Sequence, residues 1–526
     1  MKPHLLALAI AFGCLASPAE AQRIEATVTL RADPDSPTID PNIYGQFVEH
    51  LGRGVYEGVW VGENSPIPNV RGIRSDVVAA LRRIRTPLVR WPGGCFAELY
   101  HWRDGVGPRG ERPLSVNTAW GDEPETNAFG THEFMDFVEQ IGAKPFLAIN
   151  VASGSPGEAQ AWLQYMTAAP DSSAGQARAR DGRQAPYQVP FIGVGNENWG
   201  CGGNMTAAHY ADVYRQYYAV LRTYGTLVVA DANSDDYDWT ETVLRRALYR
   251  HAKPTPHAYI NRNPLIQMMS LHYYTLAGDD WADKGPGVGF TERHWALALQ
   301  RAYRMDEIIT RHSRIMDRFD PERHIALSVN EWGTWWQAAD GRPSNLYQAN
   351  TLRDGVIAGM TLNIFQNHAA RVRMANIAQM VNVLQAMILT RGAEMIVTPT
   401  YHVFDLYQVH QGNRLAPVQV RSPNYGYEGV RVPAISASAS RSADGAVFVS
   451  LVNIDPDKPA RVVVRAPGQS ISRATGRVMT ADAMDARPDF GAPDPLAPIP
   501  LTDVAVKDGA VEVVLPAKSV AVVEIR

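Results

Sequence analysis

Cysteine is scarce in this chain of 526 residues, which has three: Cys14, Cys95 and Cys201. So few cysteines do not form a disulfide framework, and neither they nor the histidines have the spacing of metal ligands. We therefore expect no metal ion and no other cofactor. Cys95 and Cys201 could form one bridge if the fold brings them together. We expect Cys201 to be a packed thiol and Cys95 a free one near the site.

A phosphate-binding loop of the Gly-x-x-x-x-Gly-Lys type is also lacking. The single Gly-x-Gly-x-x-Gly match, at residues 105–110, contains Pro108 and neither leaves a strand nor opens a helix. Charge of neither sign predominates, since 50 basic and 54 acidic side chains give a net charge of -4. This balance argues against nucleic acid or an anionic membrane as the main partner. It is typical of a protein with a neutral substrate.

Long apolar runs are lacking too, and the one near the start, at residues 5–15, is too short to span a bilayer. Lys2 precedes it, and Ala19-Glu20-Ala21 follows as a small-x-small cleavage pattern. We interpret residues 1–21 as a secretory signal, cut after Ala21, and expect a secreted or periplasmic protein. Cys14 after Gly13 leaves a lipoprotein signal as a weaker alternative.

Alternating apolar and amphipathic segments indicate β/α units. Eight such units predict an α/β fold, a closed (β/α)8 TIM barrel over residues 38–395. Helical patterns lie between the predicted strands, and residues 170–187 look like an exposed insertion. We predict the strands near residues 42–47, 86–91, 145–150, 191–196, 226–230, 268–274, 325–330 and 371–375.

Short alternating stretches follow the barrel and predict a C-terminal antiparallel β-sandwich over residues 396–526. The proline-rich stretch 488–500 should be a loop within it, because proline cannot donate to a strand ladder. Residues 22–37 also contain an alternating stretch, and we expect it to join the sandwich as an N-terminal strand.

Two glutamates stand at the exits of predicted barrel strands: Glu197 in Gly-Val-Gly-Asn-Glu-Asn-Trp (193–199), and Glu331 in Leu-Ser-Val-Asn-Glu-Trp (327–332). The carboxyl ends of barrel strands form the floor of the active site. Glycosidic hydrolysis needs one carboxylic acid to protonate the departing oxygen and one carboxylate to attack or to activate water. The pair therefore favours a sugar-cleaving enzyme.

A lone Asn-Glu pair at a strand end is more often a solvated loop or a helix cap. Here Trp199 and Trp332 flank the two pairs, and tryptophan offers a flat face to a sugar and lowers the local dielectric. Asn196 precedes the first glutamate, where its amide could bond a sugar hydroxyl. Arg90, at the end of the second strand, could hold Glu331 ionised or form a structural buried pair.

Five segments occur in the order found in glycoside hydrolase family 51, the α-L-arabinofuranosidases, which this chain resembles over nearly its whole length. They are Gly-Gln-Phe-Val-Glu-His-Leu-Gly (45–52), Arg-Trp-Pro-Gly-Gly-Cys-Phe (90–96), Gly-Val-Gly-Asn-Glu-Asn-Trp-Gly (193–200), Ser-Leu-His-Tyr-Tyr (270–274) and Val-Asn-Glu-Trp (329–332). The resemblance implies a retaining exo-enzyme with Glu197 as acid/base and Glu331 as nucleophile. Retention places their carboxyl groups about 5 to 5.5 Å apart.

The resemblance also implies roles for residues near the sugar. Glu49 would bond outer hydroxyls of the arabinofuranosyl ring, Cys95 would point at the sugar pocket, and Gln379 would lie near the sugar after strand eight. Tyr274 would bond the nucleophile and His272 would lie beside the acid/base, although a lone histidine on an apolar strand is more often a core residue. Trp199 and Trp332 would shape the leaving-group side or merely pack.

The implied partner is an arabinose-containing oligo- or polysaccharide, and hexamers are common in the family. Two other hypotheses about the function are compatible with the sequence. A member of the same clan could act as an endo-glucanase or xylosidase with the same two glutamates, in an open cleft rather than a blind pocket. A secreted carbohydrate-binding protein that has lost catalysis is the second reading, and the presence of both glutamates argues against it.

Overall fold

A computed structural model describes residues 23–31, 33–248 and 265–526, apart from the side chain of residue 231. The predicted secretory signal lies outside the described residues. Eight parallel strands close into a barrel in which spatial order follows chain order. They are Gly45–Phe47, Leu88–Trp91, Lys144–Ile149, Phe191–Val194, Thr226–Asn233, Met268–Thr275, Ala326–Thr334 and Val372–Ala378.

The helices lie between these strands, and side-chain caps start several of them. Ser155, Thr206 and Asp236 each accept a hydrogen bond from the backbone N–H three residues on, which satisfies an otherwise free donor of the first turn. The α-helices are Ser75–Arg83, Thr131–Ile141, Pro156–Thr167, Ser173–Arg180, Ala207–Leu221, Tyr237–Ala247, Glu292–Phe319, Leu352–Asn367 and Pro399–Tyr407.

The segment 170–187 is not simply an exposed insertion, because Ser173–Arg180 forms a helix packed against the preceding one. Arg178 is fully buried and donates hydrogen bonds to the carbonyls of Tyr165, Ala168 and Gln184. An arginine bound to carbonyl groups escapes a search for apolar periodicity, so the sequence pattern did not indicate this packing.

The stretch that follows the barrel begins with a helix, Pro399–Tyr407, and not with the alternating strands expected there. Thr398 caps it and Pro399 occupies its first position, which is a favourable start for a helix. All nine residues are buried. A helix buried on every side has no polar face, so it lacks the amphipathic pattern that identifies surface helices.

Two antiparallel-rich sheets form the C-terminal sandwich. Ile24–Leu30 joins the first sheet as predicted, parallel to Ala460–Arg465 and antiparallel to Val418–Arg421. In spatial order the first sheet contains Val418–Arg421, Ile24–Leu30, Ala460–Arg465, Ala510–Leu515 and Val504–Lys507, and the second Arg414–Leu415, Ile435–Arg441, Val447–Asn453, Ser519–Ile525, Ala474–Met479 and Ile499–Leu501.

Short two-stranded hairpins also lie outside the barrel and the two sandwich sheets. They are Asn69–Val70 with Ile73–Arg74, Ser115–Asn117 with Glu123–Glu125, Ile388–Arg391 with Glu394–Val397, and Asn424–Tyr427 with Val430–Pro433.

Within the described ranges, no helix combines the length and apolar character needed to cross a bilayer.

The helix Leu352–Asn367 joins the barrel to the sandwich. Its residues up to Gln366 are buried, and the side-chain oxygens of Asn363 and Gln366 both lie 2.7 Å from the hydroxyl of Ser438 on a sandwich strand, which can donate to either. A Cβ on Gly359 would lie 3.0 Å from Val520, so the helix approaches the sheet closely at a glycine. Buried polar groups that are paired across the interface fix the relative position of the two parts.

Candidate active site

The carboxyl end of the barrel brings Glu197 and Glu331 together. Glu331 lies inside the seventh strand and Glu197 lies three residues beyond the end of the fourth. One oxygen of each carboxylate and a ring nitrogen of His272 all lie within 4.8 Å of one another. His272 stands on the sixth strand, so the cluster draws on three different strands.

Glu331 has a hydrogen-bond donor on each oxygen. The Arg90 guanidinium donates to Oε1 at 2.7 Å, and the Tyr274 hydroxyl donates to Oε2 at 2.6 Å. Burial and the charge of Glu331 raise the pKa of Tyr274 well above its ordinary value, so the phenol keeps the proton that it donates. Arg90 also donates to the side-chain oxygen of Asn196, which links the second, fourth and seventh strands.

Glu197 is held differently. Its φ of 43° lies in the left-handed region, which is uncommon for a residue other than glycine and turns its side chain out of the strand direction. Oε1 lies 2.9 Å from Nδ1 of His272. About a fifth of the side chain is exposed, and it faces a cavity of about 660 Å³ that Trp199, Trp281 and Trp335 help to line.

Glu49, after the first strand, lies buried beside Glu331. It accepts hydrogen bonds from the Phe96 N–H and the Trp120 indole, both at 2.9 Å. Burial, and then the charge on Glu331, raise the pKa of Glu49 to about 7. Gln379 donates from its amide to Glu49 Oε2 at 3.3 Å and accepts from the Glu49 N–H, so the two predicted sugar ligands hold each other.

The glycine pair Gly93-Gly94 passes directly over these carboxylates. A Cβ on Gly93 would lie 2.7 Å from the Glu49 side chain, and one on Gly94 would lie 3.0 Å from Glu331 Oε1. The described contacts are with the two carboxylates, and absence of a Cβ is what leaves space for both.

Cys95 and Cys201 form a disulfide, so the expectation of a free Cys95 and a packed Cys201 thiol is wrong. Their Cα atoms lie 5.6 Å apart although 106 residues separate them in the chain. Their spacing gave no signal, because only barrel closure brings the loops after the second and fourth strands together. Sγ of Cys201 lies 3.8 Å from Oε2 of Glu197.

Trp332 does not lie on the leaving-group side. It is 1% exposed and packs against Phe365 and Phe404 outside the barrel wall. Successive side chains of a strand point in opposite directions, so with Glu331 turned into the pocket its neighbour turns away from it. Trp199 does line the cavity, together with Trp281, which sequence reasoning did not single out.

The loop near residue 122 carries several acidic side chains, and Glu125 among them is buried. Glu125 is 3% exposed and bonds Nδ1 of His50 at 2.8 Å and the hydroxyl of Tyr56. Trp120 of the same loop reaches Glu49. Charge density alone would predict a solvated loop, because the partners of this loop come from the distant segment after the first strand.

Glu98 is a further residue that the sequence did not indicate. It ends the short 3-10 helix Cys95–Glu98 after the second strand and is 1% exposed. Burial raises its pKa to about 7, against the effect of four N–H groups that donate to it. Nothing in the local pattern separates it from a surface glutamate, since its partners lie about 50 and 100 residues further along the chain.

Two carboxylates this close, at the carboxyl end of a closed parallel barrel, match what retaining hydrolysis of a glycosidic bond requires. The fold and the site thus define a glycoside hydrolase. Comparisons with known proteins identify the family within this class.

Two family models match: the α-L-arabinofuranosidase 1 domain at residues 80–227 and the α-L-arabinofuranosidase C-terminal domain at residues 330–519. An intracellular exo-α-L-arabinofuranosidase of Bacteroides ovatus is 40% identical over 533 residues, which cover 100% of both chains. The chain belongs to glycoside hydrolase family 51, the α-L-arabinofuranosidases.

Solved structures agree with this assignment. The family 51 arabinofuranosidase of Xanthomonas axonopodis pv. citri superposes with a TM-score of 0.91 at 44% identity, covering 96% of this chain and 100% of that one. An arabinose complex of the Thermotoga maritima α-L-arabinofuranosidase has a TM-score of 0.81 at 30% identity, covering 95% and 99%. The predicted family, barrel fold and enzyme class are confirmed.

The expectation of a secreted or periplasmic protein is wrong. The Bacteroides ovatus relative, which aligns with the whole chain, is named an intracellular enzyme. The interpretation of residues 1–21 as a secretory signal rested on composition over a short stretch, and those residues lie outside the described ranges.

Proposed function

We propose that Glu331 is the nucleophile and Glu197 the acid/base of a double displacement that removes terminal α-L-arabinofuranosyl residues. The observation that carries this assignment is the difference between the two carboxylates. Both oxygens of Glu331 have fixed donors, whereas Glu197 faces the open cavity beside His272. A nucleophile needs a fixed charge and an acid/base needs access to the departing group and to water.

In the first step an oxygen of Glu331 attacks the anomeric carbon while the bond to the glycosidic oxygen breaks. Glu197 gives its proton to that oxygen, and the released sugar alcohol leaves through the cavity on its side. In the second step Glu197 takes a proton from water, whose oxygen attacks the same carbon and displaces Glu331. This transfer leaves Glu197 protonated and Glu331 as a free carboxylate, so the enzyme ends as it began.

We assign the arabinofuranosyl ring to the space bordered by Glu49, Gln379, Asn196 and the Cys95 disulfide. Glu49 is the strongest of these ligands in this proposal. Its two oxygens already have donors, but each carboxylate oxygen accepts more than one hydrogen bond, so a sugar hydroxyl can add to Oε2.

The departing part of the substrate lies against Trp199, Trp281 and Trp335 in this proposal. Trp281 is 55% exposed, and its ring packs edge-on against Trp335. Exposed indole faces suit the apolar faces of sugar rings. Turnover of arabinan, arabinoxylan and arabino-oligosaccharides, with cellulosic and xyloside substrates alongside, separates exo-arabinofuranosidase activity from the endo-glucanase or xylosidase alternative.

Proton NMR of the released sugar tests activity, substrate and stereochemistry together. Hydrolysis of an aryl α-L-arabinofuranoside should first give the α-anomer of arabinose, because two inversions retain the configuration. First appearance of the β-anomer would contradict double displacement.

We also propose residues 38–395 as the catalytic domain, with 22–37 and 396–526 as its accessory sandwich. A homo-oligomer, such as the hexamer that family resemblance suggests, stays a prediction, which light scattering of the purified chain would measure.

A further inference from the structure

The 3-10 helix Cys95–Glu98 holds the loop that carries Glu197, and the Glu98 carboxylate makes most of the contacts. Its Oε1 accepts from the Asn196 N–H at 2.6 Å and from the Asn198 side-chain amide at 3.0 Å. Its Oε2 accepts from the N–H groups of Val151 and Ala152 at 2.6 and 2.8 Å. One buried carboxylate thus joins the loops after the second, third and fourth strands.

Four donors around one side chain require a group that only accepts. A carboxylate meets this requirement, whereas an amide of the same shape presents an NH2 group to donors on one side. The uncompensated donors would then have to move or lose their partner, at a cost that is high in a buried site. The position of Glu98 therefore requires a carboxylate and does not accept glutamine without loss.

The two contacts on Oε1 hold the residues on either side of Glu197. Asn198 is fully buried, and its amide also donates to the Gly202 carbonyl at 2.7 Å, which closes the loop on itself. A Cβ on Gly195 would lie 2.1 Å from the Asn198 side chain. Movement of Asn196 or Asn198 would therefore move Glu197, whose left-handed backbone lies between them.

We propose that Glu98 is a positioning residue for the acid/base, acting through Asn196 and Asn198. The inference rests on the proposed role of Glu197. The rival explanation is the Cys95–Cys201 disulfide, which joins the same two loops and could fix Glu197 alone.

Glu98→Gln tests this with two substrates of the same sugar. Methyl α-L-arabinofuranoside has a poor leaving group that needs the acid, and the 4-nitrophenyl arabinofuranoside has a good one that needs it little. A displacement of the acid by about 1 Å lowers kcat/KM on the methyl glycoside by about 10- to 100-fold more than on the aryl glycoside. Loss of folded enzyme alone would lower both by the same factor.

Asp320→Asn is the matched control. Asp320 is also a buried carboxylate that accepts backbone N–H bonds, from His324 and Ile325, but it precedes the seventh strand at the opposite end of the barrel. Its substitution should change both substrates equally. Should Glu98→Gln fail to fold, Asn198→Ala removes one donor from the loop side, and a selective loss on the methyl glycoside of about threefold or more is expected.

Glu197→Ala is measured in parallel. If it shows the leaving-group dependence and Glu98→Gln does not, the proposed function stands and the positioning role is overturned, with the disulfide left to hold the loop. If Glu197→Ala shows no leaving-group dependence, the assignment of the acid/base fails first. The inference is supported if Glu98→Gln and Glu197→Ala both lose more activity on the methyl than on the aryl glycoside. Asp320→Asn should leave the ratio of kcat/KM on the two substrates unchanged.

Discussion

The two sides of the active site hold the same kind of side chain in different ways. On one side, Glu331 lies within a strand, 7% exposed, between the Arg90 guanidinium and the Tyr274 phenol. On the other, Glu197 lies on a glycine-rich loop with a left-handed backbone and faces an open cavity. This contrast accounts for the two roles proposed for one residue type, because fixed donors keep a charge in place whereas access to solvent lets a proton come and go.

The supports of the two sides also differ in origin. Arg90 and Tyr274 are side chains of barrel strands and touch the nucleophile directly. The loop of Glu197 is held indirectly, by the Glu98 contacts and the disulfide from the loop after the second strand. Substitutions on the two sides should therefore differ in their dependence on the leaving group.

The largest effect is expected from Glu331→Ala, which removes the proposed nucleophile. The value of kcat on the 4-nitrophenyl arabinofuranoside should fall by at least about 10⁴-fold, and a good leaving group should not restore it. Steady-state kinetics measure this, with circular dichroism to show that the variant is folded. Turnover near the wild-type rate would remove Glu331 from the mechanism.

Glu197→Ala should have the next largest effect, and a selective one. On methyl α-L-arabinofuranoside kcat/KM should fall by about 10²- to 10⁴-fold, with a much smaller fall on the aryl glycoside. Azide should restore part of the second step, because a small anion attacks without a base. Formation of arabinosyl azide, followed by NMR, checks this, and an equal loss on both substrates without rescue would contradict it.

Tyr274→Phe sharpens the contrast on the nucleophile side. It leaves Glu331 Oε2 without its phenol donor, and kcat should fall by about 10- to 100-fold. The loss should be equal on methyl and aryl glycosides, since the phenol does not serve the leaving group. A loss confined to the methyl glycoside would place Tyr274 on the acid/base side instead.

Glu49→Gln should have the smallest effect, on stability. The pKa of Glu49 in the folded chain, about 7, exceeds its ordinary value of 4.5, so the folded protein keeps a proton that the unfolded chain releases between these pH values. The wild type therefore loses stability as pH rises through this window, by up to about 3 kcal/mol. Glutamine matches the shape without the charge.

Denaturant unfolding of both proteins at pH 5 and pH 8 measures this difference. The stability of Glu49→Gln relative to the wild type should be more favourable at pH 8 than at pH 5. Glu57→Gln, at an exposed site after the same strand, serves as the control and should show little change with pH. An equal stability difference between the two proteins at both pH values would show that ionisation of Glu49 does not destabilise the folded state.

Much of the fold could be predicted because its signals are local. The apolar run of each barrel strand and the alternation of Ile24–Leu30 depend on neighbouring residues alone. The helices Ser173–Arg180 and Pro399–Tyr407 were missed because burial of an arginine in one and of every residue in the other removes the amphipathic pattern.

The residues of the site also fall into those that a local signal identifies and those that it does not. Glu197 and Glu331 follow from their position at strand ends together with the family motifs, and Arg90, Tyr274 and His272 lie beside them. Trp332 was misplaced because the face that a strand residue occupies depends on its register in the barrel. Glu98, Trp120 and Trp281 carried no local signal, since each contributes to the site through residues far along the chain.

The class of fold, the family and the two glutamates follow from the sequence, because hydrophobic periodicity and contiguous motifs are properties of neighbouring residues. The disulfide, the burial of the carboxylates Glu49 and Glu98, and the separate surroundings of the two glutamates depend on tertiary contacts. Closure of the barrel brings loops about 100 residues apart within hydrogen-bond distance. Burial there changes what a carboxyl group can do, and no local pattern records burial of that kind.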